Sequence, residues 1–163
     1  YLGLERYFQI EGLAYRLVPV ERNTKDGQTG EVNTVAMFDN MVNKFQWGNM
    51  HLPHVYHGTE TERMSLNYRS MYARLANSLI EVDKKEEAKQ ALDRCMEAMP
   101  DESILLNFSA AGIVEGYYKL GEFEKGNAIA LRLMDIYSQD IEYYTRLKRD
   151  QINRLGNEPE IAM

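Results

Sequence analysis

Three histidines recur at three-residue steps in His51-Leu52-Pro53-His54-Val55-Tyr56-His57. A zinc ion accepts three imidazoles, provided the backbone gathers them on one side. Pro53 interrupts the run, and no carboxylate stands at a matching offset before Glu60 and Glu62, so solvated histidines are the plainer reading. Glu81, Asp83, Glu86 and Glu87 cluster beside Lys84 and Lys85. A general acid–base pair needs such carboxylates close together, but so do helix ends and solvated faces. Cys95, the single cysteine, falls on an apolar stripe that predicts burial, and a buried thiol is a poor nucleophile. Gly112 and Gly116 do not make a phosphate loop; their spacing within a helix suits the close approach of a neighbour. The chain has eleven tyrosines, five phenylalanines and one tryptophan. Trp47, Tyr56 or Tyr118 offer stacking faces for a sugar, although aromatics at helical spacing more commonly fill a core. No cofactor motif is present.

The elements that position these residues divide near Gly58. Ahead of it the chain is mixed. Leu2, Tyr7, Phe8 and Ile10 predict a short helix ending at Gly12, and Leu13 to Val20 reads as a strand closed by Pro19. A glycine-containing turn spans Asn23 to Gly30, and Val35, Phe38, Met41, Val42 and Phe45 predict a helix from Asn33 to Trp47. Beyond Gly58 the pattern is helical. Thr59 with Glu62, and Asp83 with Glu86, have capping-box spacing. The first helix carries Tyr72, Leu75, Ala76 and Leu79. The second carries Ala88, Ala91, Leu92, Cys95, Met96 and Met99, and stops at Pro100. A further pair turns at Gly121.

These helices repeat. With Arg69 as the first position of a unit of about 34 residues, Tyr72, Leu75, Ala76, Leu79, Ala88, Leu92, Cys95 and Pro100 fall where a tetratricopeptide repeat places large, large, small, large, small, large, small and proline. A second unit starting at Asn107 brings Tyr117 to Gly126 (YYKLGEFEKG) over the turn segment, Gly126 replacing the small alanine. The second start comes about four residues late, so Asp101 to Leu106 absorbs an insertion. Asp135 to Leu155, with Ile136, Tyr143, Leu147 and Ile152, reads as a terminal capping helix.

The expected fold is therefore mainly α: about two tetratricopeptide-like hairpins over residues 59–163, with a small α/β N-terminal portion over residues 1–58 packed on them. In such repeats the first helix of each pair lines a concave face. That maps a candidate groove to Asn77, Ile80, Glu81, Phe108, Glu115, Tyr118 and Lys119. Two repeats that merely complete a core with the first half are the alternative.

Charge and hydropathy narrow the partners. Nineteen Lys and Arg against twenty-five Asp and Glu give a net charge of −6, which argues against nucleic acid. No apolar run approaches the ~20 residues that cross a bilayer. The chain starts at Tyr1 and reads as a piece of something longer, with no signal peptide visible.

Three segments, Glu11–Pro19 (EGLAYRLVP), Met37–Gly48 (MFDNMVNKFQWG) and Asn67–Ala76 (NYRSMYARLA), carry a resemblance. The chain resembles the soluble C-terminal region of a family of large multi-pass membrane proteins of unknown function from Bacteroidetes. That family is itself similar to protein O-mannosyltransferases of the GT-C glycosyltransferase class. The resemblance implies a non-catalytic accessory domain on the periplasmic side of the inner membrane, following a membrane-embedded catalytic portion. The acidic catalytic residues of such enzymes lie in loops of that portion, so no position here inherits one. Membrane contact would come only through the preceding portion. The implied partner is a protein or peptide, or the membrane domain of the same polypeptide. An independent tetratricopeptide scaffold and a carbohydrate-binding accessory domain are the alternatives.

Overall fold

A computed structural model describes residues 3–22, 27–148 and 151. The chain is mainly α, with a small three-stranded sheet in its N-terminal portion. Strand β1 (Phe8–Ile10) pairs antiparallel with β2 (Tyr15–Leu17) in the register Phe8↔Leu17, and parallel with β3 (Glu31–Val32) in the register Ile10↔Val32. The short helix expected before Gly12 is only a 3-10 turn, Glu5–Tyr7, and Phe8 to Ile10 are extended. Alternation explains this, because Ile10 points into the core at 2% exposure and pairing with two strands outweighs a brief helical spacing. The strand expected from Leu13 to Val20 shortens to three exposed residues. Of the turn over Asn23 to Gly30, residues 23–26 lie outside the described residues.

Helix α1 (Thr34–Phe38) is capped by Asn33, whose side chain accepts from the Ala36 amide at 3.1 Å. The helix then widens into a π-helical stretch, Asp39–Lys44, so the expected single helix through Trp47 changes hydrogen-bonding pattern halfway. The widening coincides with Asn40 Nδ2 donating to the Glu11 carbonyl at 2.6 Å, which ties this segment to the sheet.

Two helical hairpins follow. Helix α2 (Thr59–Glu81) packs on α3 (Lys85–Ala98), and α4 (Ala111–Lys119) on α5 (Phe123–Arg146), while α4 also lies against α2. Neither expected capping box forms. Thr59 is already helical, and the Gly58 carbonyl receives the Thr61 amide instead. Asp83 is spent ending α2. It sits at φ 58°, with its amide donating to the Ile80 carbonyl and the Lys84 amide to that of Leu79. The second hairpin repeats this geometry: Gly121 at φ 78° donates to Tyr118, and Glu122 to Tyr117. No break separates a capping helix at Asp135, because α5 runs unbroken through it to Arg146. Ile152 and Leu155 of that expected helix lie outside the described residues.

One continuous core joins these parts. Tyr72, Leu75, Ala76 and Leu79 of α2, Ala88, Ala91, Leu92 and Cys95 of α3, and Met37 and Met41 from the first half are fully buried. The Tyr72 hydroxyl donates to the Met41 carbonyl at 2.7 Å. Small residues set the spacing between hairpins: a Cβ added to Gly112 on α4 would lie 2.8 Å from the Ala73 Cβ on α2.

Candidate functional site: a groove between two hairpins and a strand

Close approach of α2 and α4 leaves a groove of about 470 Å³ beside their contact. Its floor and first wall come from α2, where Ser70, Arg74, Asn77, Ser78 and Glu81 recur at three- and four-residue steps. Phe108, Ser109 and Glu115, from the start of the second hairpin, form the second wall. The Asn107 side chain holds that start in place, accepting from the Ser109 amide and hydroxyl at 3.1 and 2.7 Å. The third wall is the N-terminal portion, through Gly30, Glu31, Val32 and Thr34.

Arg74 fastens this third wall. It is 6% exposed, and its guanidinium donates to the carbonyls of Thr29 at 3.0 Å and Gly30 at 2.5 Å. Across the rim, Lys119 Nζ donates to Asn77 Oδ1 at 2.9 Å and pairs with Glu115 at 2.6 Å, linking the two first helices. Phe108 is 61% exposed and presents its ring to solvent. The lining holds carboxylates, hydroxyls, two side-chain amides, a guanidinium and aromatic surface, but no histidine or cysteine. Such a set supplies hydrogen bonds, charge and stacking, the means of binding an elongated ligand.

Of the seven groove positions read from the sequence, Asn77, Glu81, Phe108 and Glu115 line it, and Lys119 bridges its rim. Ile80 instead packs half-buried against the core. Tyr118 turns toward α5, its ring 6.1 Å from that of Phe123 and its hydroxyl on Asn127. Arg74 and the 28–34 segment escaped sequence reasoning, because the bonds that join them span 44 and 45 positions.

The histidines do not converge. His51 and His54 are exposed and His57 is half-buried, and the three are not grouped with one another or with carboxylates to hold an ion. Among the described residues, no three His, Cys, Asp or Glu side chains are grouped to hold a metal ion. Cys95 is wholly buried, and burial pushes its thiol up to about 12. Trp47 packs among Phe45, Tyr68 and Tyr72, whereas Tyr56 is 90% exposed and Tyr118, near the end of α4, turns toward Phe123, so the three form no shared stacking surface.

No helix of the described residues is long and apolar enough to cross a membrane. Compared with known proteins, the chain matches no family model, no curated protein and no solved structure.

Proposed function

We propose that this chain is a non-catalytic interaction domain whose groove holds an extended segment of a protein. One observation carries the reading: both first helices and the N-terminal strand contribute to a single open groove that ends on the exposed Phe108 ring. The volume falls in the range of about 300–1,000 Å³ typical of ligand clefts. An elongated floor along α2 suits a chain segment better than a compact metabolite. The resemblance to the soluble region of glycosyltransferase-like membrane proteins supplies the setting. In it the domain sits on the periplasmic side, and the segment held is an acceptor protein, a partner subunit or a loop of the membrane portion.

Selection of random peptides displayed on phage against the folded chain tests the groove. Selected peptides are expected to lose binding to Ser78→Trp, which fills the groove from α2, and to keep it with Leu131→Ala on the far side of α5. No enrichment, or enrichment indifferent to Ser78→Trp, would overturn the reading. The setting is tested separately by fractionating native cells. A polypeptide larger than this chain, in the membrane pellet and cleaved by protease added to spheroplasts, supports it. A free scaffold would instead remain in the soluble fraction.

A further inference from the structure

Among the described residues, the outward main-chain groups of Val32 on the edge of β3 that faces the groove have no hydrogen-bond partner. In a parallel pair, alternate residues of a strand bond to the neighbour, and those between them point away. The Asn33 amide donates to the Ile10 carbonyl at 3.0 Å, and the register sets Ile10 opposite Val32. Glu31 and Asn33 therefore turn their main chain toward β1, and Val32 turns its N–H and C=O outward. Gly30 has the same phase as Val32, and its carbonyl accepts from Arg74 on α2. The outward edge thus looks into the groove, with Arg74 at one end and the Val32 pair beside it, without a partner among the described residues.

Charge selects what fits there. The ionic groups lining the groove are Glu31, Glu81, Glu115 and Arg74. Arg74 is buried and committed to carbonyls. Glu31 pairs with Arg22 at 3.1 Å at half-buried positions, whereas Glu115 pairs with Lys119 at exposed positions, where an ion pair is weak and easily exchanged. Glu81 has no basic partner among the described residues. An incoming cation therefore meets the exposed carboxylates of Glu81 and Glu115 on the two helical walls, in a chain whose net charge is −6.

We propose, building on the groove reading above, that an extended peptide bearing lysine or arginine adds as a strand to β3 at Val32. Its basic side chains meet Glu81 and the neighbouring carboxylates, and an apolar side chain covers Phe108. This is strand addition: main-chain bonds hold the peptide and side chains select it.

The test is fluorescence polarisation with labelled octapeptides that alternate lysine and valine. Matched peptides carry glutamate for lysine, or N-methyl groups on every second amide. The lysine peptide is expected to bind at least about tenfold more tightly than either matched peptide. Glu81→Lys should remove most of that preference, and added salt should weaken binding. Val32→Pro, which deletes the outward N–H but no sheet bond, should weaken the lysine peptide and leave the circular dichroism spectrum unchanged.

Equal binding of the lysine and glutamate peptides, abolished in both cases by Ser78→Trp, would overturn the charge selection while sparing the groove. Full affinity for the N-methylated peptide would overturn strand addition without relying on any protein variant. A dimer in sedimentation that Val32→Pro dissociates would overturn the peptide in favour of a second copy on this edge. Failure of peptides of either charge to bind, with no enrichment from the phage library, would overturn the groove reading too.

Discussion

Arg69 and Ile104 are separated by thirty-five positions in the chain, yet Arg69 Nη2 donates to the Ile104 carbonyl at 2.6 Å. The same guanidinium donates to Met99 and Leu105, so a fully buried cation gathers the carbonyls of the segment that joins the two hairpins. Burial lowers the Arg69 pKa, with Cys95 and Asp101 opposing it. The segment is also gripped from outside: Asp101 accepts from Arg132 on α5 at 2.6 Å and from the Leu106 amide at 2.9 Å.

Replacing Arg69 by methionine keeps the apolar stem and abandons three carbonyls. The expected loss is about 3 kcal/mol or more, since each buried acceptor left without a donor costs about 1–3 kcal/mol. Urea unfolding monitored by circular dichroism measures it. A loss under about 1 kcal/mol would mean that water replaces the guanidinium.

The turns of the two hairpins share their hydrogen bonds but differ in the left-handed residue, Asp83 in one and Gly121 in the other. An L side chain in that region is strained by roughly 1 kcal/mol, less for aspartate than for most. Asp83→Gly should therefore stabilise the fold by about 0.5–1 kcal/mol, read as a rise in Tm of about 2 °C. Its exposed contact to Lys85 at 3.7 Å offers little to lose.

Gly112→Ala sets two effects against each other. Helix propensity gains about 1 kcal/mol, while a methyl forced to 2.8 Å from Ala73 Cβ costs about 1–3 kcal/mol of overpacking. Overpacking should win, because the obstacle is a Cβ fixed to the opposing backbone. The double variant with Ala73→Gly should recover most of the loss, and a thermodynamic cycle over the four proteins measures the coupling.

Asp101 and Asp93 should contribute to the acid stability of the fold. Burial works to raise both carboxyls, but hydrogen bonds outweigh it and hold them below the usual carboxylate range: Arg132 and the Leu106 amide at Asp101, Lys125 and the Tyr117 hydroxyl at Asp93. Depressed folded values mean that these groups stabilise the fold fully above their unfolded pKa, near 3.8, and lose that contribution as pH falls through the folded values. Stability should decline below about pH 4, and less steeply in Asp101→Asn, when midpoints of urea unfolding are compared between pH 3 and pH 7.

Much of the helical half was legible because its signals are local and repeated. The stripe from Tyr72 to Leu79 and the turn at Gly121 each sit within a few residues of their partners. Groove residues on the first helices followed from the same periodicity, apart from Ile80 and Tyr118, which lie on flanks of their helices where a small rotation decides the direction. Both capping boxes failed for a local reason: the spacing was present, but Gly58 and Asp83 already had other backbone duties. The sheet was poorly legible because strands of two and three residues carry too few alternations to distinguish from a helical turn. The third wall of the groove was invisible for a different reason. It depends on Arg74 finding two carbonyls far back in the chain, and nothing in its immediate neighbours marks it.

The alternation along β3 also leaves a clock in the backbone. The Asn33 amide is bonded within the sheet, while that of Val32, its immediate predecessor, faces the groove. In deuterium the two adjacent protons should exchange at different rates, Asn33 slowly and Val32 fast. Whatever covers that edge must slow Val32 and leave Asn33 nearly unchanged. The ratio of two neighbouring exchange rates thus registers occupancy at one strand edge, even before the occupant has been identified.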